Sequence, residues 1–251
     1  MVRETFILMG RTMKHITRSA DTIITTLMMP VLFMLLFVYV FGASIGQSIS
    51  MDISYINYLL PGILIMAVAM GTSYVGYRLF EDRQKGIFSR IKSMPIRSPS
   101  FLWAHVLTSV VSNMLSFMII LLLSVLMGFR SSASFTAWLL VIVLFLLLTL
   151  ALTWLNVIPG ILAKTMTGAS ALSYPLTFLP MLSSAFVPTE TMSGPVRWFS
   201  ENQSLTSVTN TMRNLLNQGT VGEEIWTAII WLLLITVFAF ISANFLYKKV
   251  V

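Results

Sequence analysis

The sequence predicts an all-α membrane protein of six transmembrane helices, and three observations predict it. The chain of 251 residues is 57% hydrophobic and only 10% charged, whereas soluble domains run near a quarter charged. Six windows, 22–51, 53–77, 98–129, 131–163, 165–189 and 225–247, hold no charged residue and are each at least 23 residues long. Crossing the hydrocarbon takes about 20 apolar residues. The basic residues are also sorted by side. With the N-terminus inside, the inner segments hold 13 Lys and Arg, and the outer segments hold only Arg130, Arg197 and Arg213. That bias puts both termini in the cytoplasm. A membrane barrel is excluded, because the run Val141 to Leu148 is apolar on every face and barrel strands alternate.

The expected layout is one transmembrane unit over 1–251. Residues 1–21 read as an amphipathic interfacial helix. Phe6, Met9, Met13, Ile16 and Ala20 fall on one side, with Arg3, Arg11, Lys14 and Arg18 opposite and Ile7 breaking the basic face. A plain basic leader before the first span is the other reading. Those charges are incompatible with an apolar signal core, so no cleavable signal is expected. Residues 22–77 hold spans one and two, with Pro30 set to kink the first and Pro61-Gly62 set to distort the start of the second. On span two, Met66, Met70, Ser73, Tyr74 and Tyr77 share a stripe. It suits either a pocket for amphipathic or aromatic substrates or plain helix packing.

Residues 78–100 are the most densely charged stretch of an otherwise oily chain, and are expected to form a cytoplasmic helix between spans two and three. Residues 101–186 hold spans three to five. Ser109, Ser112, Asn113 and Ser116 are placed to bond between helices. Span five is the most polar, contains Pro175 and Pro180, and sets Ser170, Tyr174, Thr177, Phe178 and Met181 on one face. Such a helix either lines a pathway or packs in the bundle. Residues 187–222 are too polar to cross and suit two short re-entrant helices on the outer side. Residues 223–251 hold span six and a tail anchored by Lys248 and Lys249.

Several chemistries lack their residues. There is no cysteine, so disulfides and thiolate chemistry are excluded. His15 and His105 lie in separate segments, and no metal motif surrounds them. Gly160 to Thr165 lacks the glycine spacing of a phosphate loop. No Asp, Glu, Lys or Arg lies inside a span to relay protons or hold sodium. Energy for any transport must therefore come from elsewhere.

Three stretches carry a family resemblance. In the loop after span two stand Asp82, Gly86, Arg90, Lys92-Ser93 and Pro95, and Phe186 to Leu216 follows span five. Tyr58 to Gly62 opens span two. In order and spacing they resemble ABC-2 type permeases, specifically the daunorubicin/doxorubicin-resistance type of bacterial exporters. Two positions depart from the common pattern: Gln84 stands where many members carry Glu, and Ser193 where many carry Pro.

The resemblance implies a half-transporter of the bacterial cell membrane that is not itself an enzyme. Two permease copies, as a homodimer, or this chain with a similar one, would form the channel. A separate ABC ATPase, also in two copies, would bring the ATP and magnesium, and this chain would hold no cofactor. Its coupling residues would be Glu81, Asp82, Arg83, Gly86, Arg90, Lys92 and Pro95. Spans two and five would line the path with Met66, Met70, Tyr74, Tyr174, Phe178 and Met181. The implied activity is efflux of an amphipathic small molecule such as a drug or antibiotic. Alternatives are export of a lipid or lipid-linked glycan, a non-transporting immunity or assembly factor, and an intramembrane enzyme, for which polar dyads are missing.

Overall fold

The computed structural model describes residues 2–16, 19–42, 53–92, 98–171 and 173–250, and among them every regular element is helical. Helix α1 is Val2–Ile16. Helix α2 covers residues 20–41, with π-helical turns at Ile24–Met28 and Leu36–Phe41. Then come α3, Tyr55–Gln84, and the short α4, Ile87–Lys92. Helices α5, Ser98–Leu126, and α6, Phe135–Leu162, are both long. Helices α7, Met166–Ser170, and α8, Ser173–Phe178, lead to a 3-10 turn at Leu179–Leu182. Helices α9, Gly194–Asn202, α10, Ser204–Gln218, and α11, Glu224–Val250, complete the chain.

Helix α3 is the hub. At 1.5 Å per residue it is about 45 Å long, more than the hydrocarbon thickness of about 30 Å. It packs against α2, α5, α6, α7, α8 and α10, so its apolar residues are buried nearly all round. Pro61 lies inside it without ending it. The proline withholds a donor from the Asn57 carbonyl four residues back, and the Asn217 amide of α10 donates to that carbonyl instead, at 3.1 Å. Pro30 acts similarly in α2. It cannot donate to the Thr26 carbonyl, the turn before it widens to π geometry, and the Ser116 hydroxyl of α5 donates there at 3.4 Å.

Two apolar cores result. One joins Leu59, Ile63, Val141, Phe145, Val208 and Met212 toward the α10 end. The other joins Leu79, Phe88, Phe101, Trp154 and Tyr247 toward the α1 end. Between lipid-facing helices, close backbone approach replaces the hydrophobic effect as the packing force, and α3 and α6 make such an approach. A Cβ on Gly160 would lie 2.7 Å from the Gly76 carbonyl oxygen.

Among the described residues, four helices are long and apolar enough to cross a membrane, α3, Ser100–Leu126, α6 and Glu224–Lys249, and Thr26–Phe41 is a shorter apolar helix. The architecture differs from the sequence expectation in three places. Residues 166–186, expected as one span, are broken into α7, α8 and the 3-10 turn, because Pro175 and Pro180 each remove a helical donor. The expected cytoplasmic helix is not one element. Residues 78–84 prolong α3, the chain turns at Lys85-Gly86, and only Ile87–Lys92 forms the separate α4. Pro95 lies outside the described residues, as does the side chain of Lys92. Finally, α1 presents a different face. Phe6 is 61% exposed, while Thr5 is buried and Leu8 packs on the second core. On the same helix Glu4 accepts from the Ser100 hydroxyl at 3.1 Å, and the half-exposed Arg11 reaches Asp82.

Candidate functional site

A cavity of about 630 Å³ opens between α2, α3, α7 and α8. Met70, Ser73, Tyr74, Tyr77, Arg78 and Glu81 form its α3 wall. Their spacing of three and four residues places them on one helical face. Ser170, Ser173, Tyr174, Thr177 and Phe178 supply the opposite wall, and Ser19, Thr22 and Met29 close the side. Of the six pathway residues the sequence proposes, Met70, Tyr74, Tyr174 and Phe178 line this cavity. Met66 does not: it is 2% exposed and packs in the first core. Met181 stands on the 3-10 turn, outside the lining.

The walls are held by polar contacts. The Ser173 hydroxyl donates to Asn156 Oδ1 at 2.7 Å, and the Asn156 amide donates to the Leu152 carbonyl at 2.9 Å and to Thr72 Oγ1 at 3.4 Å. This buried trio ties α8 to α6 and α3, where a polar group left unpaired would be costly. Backbone contact reinforces it. A Cβ on Gly76 would stand 2.6 Å from the Ala169 carbonyl oxygen and 2.7 Å from that of Asn156. Across the α3 wall the Tyr74 and Tyr77 rings meet at 6.2 Å.

One end of the cavity is charged. Arg78 donates to Thr22 Oγ1 at 3.0 Å and lies 5.8 Å from the centre of the Tyr74 ring. Lys85 Nζ donates to Glu81 Oε1 at 2.5 Å. That hydrogen bond and the carboxylate charge raise Lys85 above its ordinary range.

The proposed coupling residues divide by direction. Asp82 and Arg83 point into the protein. Asp82 Oδ1 accepts from Arg11 at 3.0 Å, and its Oδ2 lies 3.2 Å from Nε2 of the buried His105. Arg83 donates to the carbonyls of Ile161 at 2.6 Å and Ala163 at 3.3 Å, at the end of α6. Lys85 and Arg90 lie on the surface. Gly86 has φ +69°, a left-handed conformation that glycine adopts without strain and that commonly ends a helix.

Sequence reasoning missed Ser19, Thr22 and Met29, which reach the cavity from α2 and the residue before it and form no local pattern with α3. It also missed Phe88, which anchors α4. The Phe88 ring meets Phe101 at 5.0 Å and Tyr247 at 5.5 Å. The available signal was a single bulky aromatic among the polar residues of 81–93. Among the described residues no cluster of His, Asp or Glu could hold a metal.

A bundle of long apolar helices around a polar cavity, with a charged turn at one end, defines a multi-pass membrane protein of the permease type. The chain belongs to the ABC-2 type transporter family, whose sequence profile matches residues 3–217. It is 28% identical over 172 residues to the daunorubicin resistance ABC transporter permease protein DrrB1 of Streptomyces coeruleorubidus, a match covering 67% of this chain and 59% of that protein. It is 23% identical over 194 residues to the putative transport permease ycf38 of Cyanophora paradoxa, covering 76% of this chain and 66% of that protein. The chain thus spans somewhat under two thirds of these relatives' lengths.

Proposed function

We propose that the chain is the permease subunit of an ATP-binding cassette exporter, with its substrate path through the cavity beside α3. The observation that carries this is the shared helix: one face of α3 lines the cavity, and the end of the same helix bears the charged turn and α4. In this reading α2, α3, α5, α6, the broken α7–α8 segment and α11 make six crossings. Both termini and α4 then lie in the cytoplasm of a bacterial cell, where the basic residues belong.

A separate ATPase, in two copies carrying ATP and magnesium, docks on the surface formed by Lys85, the Gly86 turn and Arg90. Two permease copies complete the channel. Nucleotide binding favours one arrangement of the helices over the other, and the permease is driven between inward- and outward-open states. The substrate is an amphipathic small molecule. Met70, Tyr74, Tyr174 and Phe178 offer apolar faces, and the name of the daunorubicin resistance relative points the same way.

Export of a lipid or lipid-linked glycan is the second reading. It is favoured by one feature: nine of the fourteen lining residues carry a hydroxyl.

The test is purification from native membranes with a tag after Val251, under mild detergent. A stoichiometric ATPase that co-purifies and is lost on Arg90→Glu is the expected result. A chain that emerges alone refutes the exporter reading. Stimulation of the complex by lipid-linked sugar and by no drug would favour the second reading.

A further inference from the structure

The carboxylate of Asp82 is placed to join helices. It projects from the last turn of α3, where a docking group would face the cytoplasm, yet only 15% of its side chain is exposed. One oxygen accepts from Arg11 of α1 at 3.0 Å, and the other lies 3.2 Å from Nε2 of His105 on α5. The His105 side chain is itself 2% exposed. Its ring rests edge-on against Phe101 at 4.8 Å. Phe101 meets Phe88 of α4 at 5.0 Å. A continuous line of contact therefore runs from α4 through Phe88, Phe101 and His105 to Asp82, and from Asp82 to α1.

The neighbouring residues grip other helices. Arg78, one turn back on the same face, holds Thr22 of α2 at the cavity. Arg83 holds the end of α6. A carboxylate with two nitrogen partners from two different helices is a costly group to bury unless both partners stay in place. Displacing α5 or α1 alone would break that arrangement.

We propose that Asp82 is a positioning residue that ties the N-terminal helix and α5 to the end of α3 that carries the coupling turn, so that α1, α3, α5 and the α4 that rests on Phe101 move as one body, and that it is not a group the ATPase touches. The proposal rests on the exporter reading. It assigns Arg11 and His105 to the same joint, with Arg11 its partner on α1 and His105 its partner on α5.

The chain has no cysteine, so a single Thr177→Cys reports on the cavity through its rate of labelling by a maleimide. The rate is measured in the purified permease–ATPase complex with and without ATP and vanadate. In the parent chain the nucleotide changes the labelling rate by about tenfold, an ordinary size for coupling between sites. Asp82→Ala keeps ATPase capture and loses that response. Asp82→Glu recovers it in part. Arg11→Ala, altered at a side chain that is 50% exposed, loses the response as well. The double variant is no worse than Asp82→Ala, because both changes remove one contact.

Three results would overturn the joint. Loss of ATPase capture in Asp82→Ala would make Asp82 a docking group. An unchanged response in Arg11→Ala would remove the N-terminal helix from the joint. Losses that add in the double variant would show two independent roles. A parent chain that captures no ATPase fails earlier, at the exporter reading, and removes the coupling role with it. If Asp82→Ala does not accumulate, Arg11→Ala carries the same prediction from the exposed side.

Discussion

Replacing Arg213 tests how α10 is held to the hub. Its guanidinium donates three hydrogen bonds: to the Tyr58 carbonyl at 3.1 Å, to Asn210 Oδ1 at 3.1 Å and to the Ser184 carbonyl at 2.7 Å. It also lies 3.7 Å from the centre of the Tyr58 ring. Burial lowers the guanidinium below its ordinary value, the mark of a charge that depends on its partners. Each charge-assisted bond is worth about 1.5–3 kcal/mol, and stacking on a desolvated ring about 2 kcal/mol. Removing the side chain also ends its desolvation penalty, several kcal/mol for a buried ion. The net cost of Arg213→Ala is therefore about 3 kcal/mol, roughly a hundredfold in the folding equilibrium.

Arg213→Met separates charge from volume. The Ser184 carbonyl keeps the Tyr58 hydroxyl at 2.9 Å, and Asn210 Oδ1 keeps the Ser184 hydroxyl at 2.7 Å. No acceptor of those two is stranded, so Arg213→Met costs about 1 kcal/mol. The assay is thermal unfolding in detergent, read as loss of the monodisperse peak after heating. The alanine variant should melt roughly 6–10 °C below the parent and the methionine variant between the two. An alanine variant that melts with the parent would refute the reasoning, as would a methionine variant less stable than alanine.

Three further outcomes are expected. Gly160→Ala forces α3 and α6 apart, since its Cβ would meet Gly76 backbone atoms at 2.7 and 2.9 Å. It should cost about 2 kcal/mol, while Gly10→Ala, with nothing within 4 Å, leaves the melting unchanged; equal melting of the two would deny the contact. At Gly86 there is open space but a φ of +69°, so Gly86→Ala costs only about 1–2 kcal/mol of left-handed strain. Gly86→Pro re-aims the turn and removes the N–H that donates to the Arg83 carbonyl at 3.1 Å, and transport should uncouple from ATP hydrolysis while the chain still inserts; normal transport would refute the role of the turn. Tyr74→Ala and Phe178→Ala should change the range of compounds exported without changing ATPase capture. Unaltered transport of every compound tried would make both rings packing residues only.

The long helices were legible because their signal is local. A run such as Phe135–Leu162 has neither charge nor a break until Pro159, and composition alone decides it. The same criterion did not foresee the breaks within residues 166–186. A charge-free window measures how oily a segment is, not whether its backbone can continue a helix, and Pro175 and Pro180 remove the donors that continuity requires. In α3, by contrast, Pro61 did no such damage, because Asn217 supplied the missing donor from a helix far along the chain. No local pattern distinguishes these two cases. The outcome at each proline depends on what packs beside it.

The site shows the same limit in depth and direction. Helical spacing grouped Met66, Met70, Tyr74 and Tyr77 on one face of α3, and the cavity takes Met70, Tyr74 and Tyr77. Met66 shares their angle but lies one turn deeper, where other helices close over it. Periodicity gives an angle around the axis and no distance along the bundle. Charge misled more than spacing did. Asp82 and Arg83 belong to the most densely charged stretch of the chain, and the family resemblance implies a partner-facing role for them. Their orientation is set by Arg11, His105 and the carbonyls that end α6, three features that no window around residue 82 contains. The charged segment is therefore two structures in series. Its first turn is locked into the bundle, and its exposed part begins at Gln84, the last residue of α3.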